Sequence, residues 1–286
     1  EMRSVVDFWL DLGVDGFRCD VLDYIGKNYA TDHMHGDPSM HAYINELFGR
    51  DKLSRIFTVG ECQSDEKDIR EICGEDRGEL TTVFQFEHFG VGRKDRWIKY
   101  PFAFDDVKNI LSKWQYFSAK NGLLYTLFTD NHDQPYFISR TGNDREYRYE
   151  CATMYAAMFY LLKGIPFIYQ GQEFGSASPE YPSIDYYDDI ETRNYYAYQE
   201  KAKEYPRYEV MNQVRFGSRD NSRHPVAWSE DEKTGYGFGS EKTWLPLNSR
   251  AKEINLERDK KSEKSVIGFY KKLLAYRKSS EVIRRG

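Results

Sequence analysis

The chain has 286 residues with 41 basic and 46 acidic side chains, a net charge of −5. No basic stripe marks a nucleic-acid partner, and no run of about 18 apolar residues is present to cross a bilayer. A balance of 40% hydrophobic and 30% charged residues is that of a globular chain able to bury its own core.

In chain order, Val5, Phe8, Trp9 and Leu12 recur at helical spacing before Gly13, which predicts an amphipathic helix and its stop. "VDGFRCDV" (14–21) reads as a short strand, "SMHAYINELFGR" (39–50) as a helix and "IFTVGE" (56–61) as a buried strand. "DEKDIREICG" (65–74) is a predicted helix and "TTVFQFEHF" (81–89) a strand. "FDDVKNILSKWQYFSAKNG" (104–122) is a helix that opens on Asp residues and closes on Gly. "LLYTLFTDNHD" (123–133) is a strand, "REYRYECATMYAAMFYLLKG" (145–164) a long helix and "IPFIYQGQEFG" (165–175) a strand. From Ser176 to Asp259 the alternation stops in favour of polar, aromatic and turn-forming residues, a length that in a compact domain usually serves function. "SVIGFYKKLLAYRKSSEV" (265–282) resumes as a helix.

Strand and helix thus alternate at least five times, and the strands are near-continuous apolar runs. Such runs belong to parallel strands covered on both faces, hence an α/β architecture. Polar residues gather at the strands' carboxyl ends: Asp20, Glu61, Glu87 with His88, then His132 with Asp133. In a (β/α)8 TIM barrel those ends form the active-site rim, and carboxylates from so many successive strands fit a closed ring better than one switch point.

Arg18 and Asp20 lie two apart on a strand and so on one face. The guanidinium favours the ionised carboxylate, which suits a nucleophile, although an ion pair that only fixes the strand has the same pattern. Glu61 follows Gly60, whose missing side chain permits close backbone approach. Apolar neighbours would raise its proton affinity and make it a general acid, and a helix-capping glutamate is the alternative. His132 and Asp133 suit a hydroxyl-rich ligand, a metal or a hydrogen-bonded core. HExxH, zinc-spaced Cys/His clusters, GxSxG, GxGxxG and the P-loop are all absent from the sequence. Two carboxylates, one ionised and one protonated, are what hydrolysis of a glycoside requires. The 23 tyrosines add flat apolar faces with hydroxyls, suited to sugar rings, though most belong to core and surface packing. Cys19, Cys62, Cys73 and Cys151 show no CxxC pairing, which predicts reduced thiols and a cytoplasmic location. The chain opens on Glu1 within a helix and without an initiator Met, as expected of a piece whose amino terminus lies upstream.

"DGFRCD", "GE" after a β-rich strand and "NHD" resemble, in order, three consecutive signature regions of the α-amylase superfamily of glycoside hydrolases. "FQFEH", "NHDQP", "KGIPFIYQGQEFG", "SIDYYDDIET", "SRDNSRHPVAW" and the closing "KEINLERD…SVIGFYKKLLAYRK" resemble its oligo-1,6-glucosidase and α-glucosidase branch. The resemblance covers nearly the whole chain and corresponds to about the carboxyl-terminal half of such an enzyme's catalytic part. It implies a partial barrel of about strands 4–8, lacking the first strands and the inserted domain. Residues 1–286 would form the carboxyl-terminal part of that barrel, with a long irregular insertion at about 176–259 before the last helix. By resemblance Asp20 is the nucleophile, Glu61 the general acid/base and Asp133 the transition-state stabiliser. Arg18 orients Asp20, His132 and Arg219 hold the terminal sugar, and Glu87 faces the leaving sugar. Val21 resembles the residue of enzymes that accept α-1,6 links.

The implied activity is release of glucose from the non-reducing end of short α-glucosides, α-1,6-linked ones first, with retention. The partner is a small oligosaccharide or disaccharide, and no cofactor is implied; the loop that binds calcium in some relatives belongs to the missing amino-terminal part. Residues 1–286 alone are expected to be inactive. "VAW" stands where "MQW" is usual and "ECQS" where Met and Pro are common, and "RKDRW" (93–97) resembles the charged loop of sucrose isomerases. α-1,4-Glucosidase, dextran glucosidase, trehalose-6-phosphate hydrolase and sucrose isomerase therefore stay open; Arg93, Lys94 and Arg96 offer a phosphate-binding cluster or a solvated loop. A reading from another class is a non-catalytic relative such as the heavy subunits of amino-acid transporters, which lack the full carboxylate set and carry a membrane span.

Overall fold

The computed structural model describes residues 1–32, 36–49, 56–73, 78–239 and 242–285. The chain divides into two compact units. The first comprises Glu1–Phe89, Asp105–Thr126 and Lys163–Ile165, and the second Gly90–Phe104, Leu127–Leu162 and Pro166–Gly286.

In the first unit helix α1 (Met2–Asp11) leads into strand β1 (Gly16–Cys19), followed by helix α2 (Ser39–Phe48) and strand β2 (Phe57–Glu61). Helix α3 (Glu66–Cys73), strand β3 (Thr82–Phe84) and helix α4 (Phe104–Lys120) follow. The three strands form one parallel sheet in the order β1-β2-β3, as the apolar runs predict. Met40, Ile44, Val59, Ile72, Val83 and Val107 are buried in this unit. Cover is incomplete, because β1 is only partly buried, Phe57 is exposed, and of α1 only Val6 is buried. Gly74, the last residue of the helix predicted over 65–74, lies outside the described residues.

Strand β4 (Thr126–Leu127) and strand β5 (Ile165–Pro166) are two residues each, far shorter than the apolar runs that contain them. Threonine hydroxyls explain part of this in the first unit. Thr82 Oγ1 donates to Leu124 O at 2.6 Å and Thr126 Oγ1 to Val83 O at 3.1 Å, taking carbonyls that a backbone ladder would have used. Thr58 and Thr81 likewise exchange amide-to-hydroxyl bonds at 3.1 and 2.9 Å just before the β2–β3 ladder begins.

The second unit holds helices α5 (Phe137–Thr141) and α6 (Arg148–Tyr160), and Phe137, Tyr155, Phe159, Tyr160 and Tyr270 are among its buried side chains. The stretch 176–259, read from sequence as irregular, is corrected here. It contains helices α7 (Ile190–Ala202), α8 (Arg207–Gly217), α9 (Asp220–Arg223) and the start of α10 (Leu256–Lys261). Tyr181, Tyr187, Tyr196, Val210, Met211 and Val214 form a hydrophobic cluster of their own between α7 and α8. Helix α11 (Val266–Ser279) matches the predicted closing helix, and α12 (Glu281–Arg285) follows. No closed barrel is seen among the described residues, whose strands fall into a three-stranded and a two-stranded sheet. No described helix is long and apolar enough to cross a membrane.

Candidate active site

In the first unit the parallel register does the positioning. Cys19 pairs with Gly60, so one step beyond the ladder Asp20 comes abreast of Glu61. Alternation puts Arg18 and Asp20 on one face of β1 and Val59 and Glu61 on one face of β2. The guanidinium of Arg18 bridges the two acids. Its Nη1 donates to Asp20 Oδ1, and its Nη2 donates to Glu61 Oε2 at 2.7 Å. Burial lowers the basicity of Arg18, but the Asp20 and Glu61 carboxylates outweigh it and push its pKa up. The side chain of Asp20 is 73% exposed and that of Glu61 18%, so one acid stands open to a ligand while the other is sheltered.

Val21 enters the left-handed region (φ 36°, ψ 52°), costly for a β-branched residue, and its amide then donates to Glu61 Oε2 at 3.3 Å. Glu61 thus meets a guanidinium and an amide where the sequence had suggested an apolar shell. Gly60 also has a different reason from the one expected. A Cβ there would lie 2.9 Å from Leu22 Cδ2 and 3.0 Å from Leu80 Cδ1, so the missing side chain makes room for two leucines.

In the second unit Asp133 is the hub. Its Oδ1 accepts from Arg219 Nη1 at 3.1 Å and Arg223 Nη2 at 2.8 Å, and its Oδ2 lies 3.1 Å from His132 Nε2. Arg223 Nε donates to His132 O at 2.6 Å, and Arg96 Nη2 to Asp133 O at 3.0 Å. Arg219 is itself held from behind, by Glu191 Oε2 at 2.6 Å and Asp189 Oδ1 at 3.3 Å. Arg96 closes the circuit at 3.6 Å from Glu191. The sequence placed His132, Asp133 and Arg219 as site residues, and the structure brings these three together.

Over residues 1–286 the chain matches the family described as the alpha-amylase catalytic domain. The chain belongs to the alpha-amylase family. The oligo-1,6-glucosidase of Parageobacillus thermoglucosidasius is 38% identical over 309 residues, covering 100% of this chain and 54% of that relative. The crystal structure of Bacillus licheniformis trehalose-6-phosphate hydrolase gives a TM-score of 0.92 at 34% identity, over 100% of this chain and 53% of that one. That of isomaltulose synthase from Erwinia rhapontici NX5 gives 0.88 at 29% identity, over 99% and 53%. The alpha-amylase-family chain therefore spans about half the length of the relatives it matches.

Of the remaining residues singled out by sequence, Glu87 opens a short 3-10 turn, and its Oε2 accepts from Trp114 Nε1 at 2.7 Å and Lys113 Nζ at 3.1 Å. These bonds turn the carboxylate toward α4 and give no support to a place against a sugar. Cys19, Cys62, Cys73 and Cys151 are all free. Burial pushes the Cys19 and Cys62 thiols up to about 11, which keeps both in the protonated form near neutral pH. Sequence reading missed Asp189, Glu191 and Arg223. Their signal was present as acids in "DDIET" and a second arginine in "SRDNSR", but their partners are distant in sequence.

Proposed function

We propose that the chain carries the catalytic carboxylates of a retaining α-glucosidase acting on short α-1,6-linked glucosides. The observation that supports this most is the Arg18 bridge between Asp20 and Glu61 at adjacent parallel strand ends. Neighbouring strands lie about 4.8 Å apart, a spacing compatible with the roughly 5–5.5 Å between carboxyl groups that retention needs. Asp20 attacks the anomeric carbon while the glycosidic C–O bond breaks, and its electron pair stays on the leaving oxygen, which takes the proton of Glu61. A glycosyl ester on Asp20 results. Glu61, now ionised, removes a proton from water, the water oxygen attacks the same carbon, and Asp20 leaves with the anomeric configuration retained. Asp133 and His132 grip ring hydroxyls, and Arg219, fixed by Asp189 and Glu191, holds the terminal sugar.

Two features bear on the choice among relatives. Val21 beside the nucleophile supports α-1,6 links. Arg93 donates to Gln134 Oε1 at 2.9 Å, and Arg96 is committed to the Asp133 carbonyl and Glu191. Both arginines are thus occupied by internal partners, which favours a neutral leaving sugar over a phosphorylated one. The test is Asp20→Asn in the full-length enzyme, assayed on isomaltose, maltose, sucrose and trehalose 6-phosphate. Isomaltose is expected to be the preferred substrate, and the variant to lose at least about a thousand-fold in kcat with an unchanged circular dichroism spectrum. Retained turnover in the variant removes Asp20 from the role, and a preference for another sugar removes the linkage.

A further inference from the structure

Among the described residues no strand ladder reaches Asp133, because β4 ends at Leu127. Its peptide is held by side chains instead. The amide donates to Asn131 Oδ1 at 2.9 Å, and the carbonyl accepts from Arg96 at 3.0 Å. Arg96 rides on a tight hairpin of residues 92–100. The amide of Lys94 donates to Ile98 O and that of Tyr100 to Gly92 O, both at 2.9 Å, and Arg93 faces Lys99 in an antiparallel bridge. Near its tip Asp95 Oδ1 accepts from the amides of Trp97 and Ile98 at 2.8 Å each. Two contacts seat this hairpin on α7 and α8. Trp97 stacks on Tyr195 of α7, with ring centres 4.2 Å apart and planes 7° from parallel. Tyr195 is steadied in turn by donating to Oε1 of the buried Gln213 of α8 at 2.6 Å. Gly217, the last residue of α8, meets the hairpin so closely that a Cβ there would overlap Arg96 O and lie 2.7 Å from Trp97 Cε3. Two residues on, the same chain supplies Arg219 to the Asp133 carboxylate. The end of α8 is thus a common base for two arginines, one on the carbonyl of Asp133 and one on its side chain.

We propose that Gly217 and the Trp97–Tyr195 stack are positioning residues for Asp133, acting through Arg96. The proposal rests on the α-glucosidase reading above, in which Asp133 grips the sugar hardest as the bond breaks. A residue that fixes Asp133 then shows in kcat more than in KM. Kinetics of the full-length enzyme on its preferred sugar among isomaltose, maltose, sucrose and trehalose 6-phosphate test it. Tyr195→Ala, Arg96→Ala and Gly217→Ala are each expected to lower kcat at least about ten-fold with KM changed less than about three-fold. Tyr195→Phe, which keeps the stacked ring, is expected to stay within about two-fold of the native enzyme. Combining Tyr195→Ala with Arg96→Ala is expected to cost no more than Arg96→Ala alone, a coupling that general loosening of the fold would not produce. Native kcat in Tyr195→Ala, a loss there that Arg96→Ala does not share, or losses that multiply in the pair overturn the proposal and leave the α-glucosidase reading standing. Native kcat in Gly217→Ala overturns the role of that glycine, and if this variant does not fold, the Tyr195–Arg96 pair decides. If the native enzyme turns over none of the four sugars, the proposal and the α-glucosidase reading both fall.

Discussion

Arg18 holds two acids with one flat, doubly donating group, a task a lysine ammonium performs as a point charge only. Arg18→Lys is therefore expected to lower kcat at least ten-fold in the full-length enzyme while the melting temperature moves little, and Arg18→Leu to lower it further. Burial sets a second residue-scale expectation. With their pKa values near 11, Cys19 and Cys62 should react with a neutral disulfide reagent at pH 8 far more slowly in the native protein than after denaturation, and faster as the pH approaches 11. Asp130 gives a third. Burial raises its pKa to about 6, partly offset by bonds from Thr129 and the Phe137 amide. Because the folded state holds this proton more tightly than the unfolded chain, Asp130's contribution to stability is full below about pH 4 and is lost as pH rises through 6, on the order of 3 kcal/mol in all. Urea unfolding of Asp130→Asn between pH 4 and 7 should show a flatter profile than the native chain.

At the scale of elements, caps carry more than propensity. Asp259, buried near the end of α10, accepts from the amides of Val266 and Ile267 at 3.0 and 2.9 Å and from the Ser265 hydroxyl at 3.1 Å, gathering the first turn of α11. Asp259→Ala should cost about 2 kcal/mol in urea denaturation, and Asp259→Asn less, since one oxygen remains to accept. The helices of the first unit were legible in sequence because their apolar residues recur at the helical period, as Met40, Ile44 and Phe48 do in α2. Helices α7 and α8 were not read: the buried side of α7 is made of Thr192, Tyr196 and Gln199, which do not show as an apolar face, whereas Val210, Met211 and Val214 of α8 do recur at helical spacing and were passed over amid polar neighbours. Their punctuation was nevertheless present, with Asp189 capping the Thr192 amide at 2.9 Å and Pro206 directly before α8. Strand ends were legible for β1 and β2, where Asp20 and Glu61 stand as predicted. The shortness of β4 was not, since nothing local shows where a threonine hydroxyl will replace a ladder bond.

For the molecule as a whole, the acids and arginines around Asp133 come from segments up to 127 positions apart, and only folding reveals such a circuit (residue 223 less residue 96). Motif order carried the family assignment, because each signature sits at a strand end that topology fixes independently of the loops between. The bared row along α1 bears on handling. Phe8 and Trp9 of α1 and Leu12, which directly follows it, are 57%, 47% and 63% exposed. In a purified sample of these 286 residues such a seam is adhesive. Light scattering should climb with protein concentration and fall when Phe8→Glu and Trp9→Lys are introduced together, whereas kosmotropic salt, which strengthens apolar contact, should cloud the solution sooner.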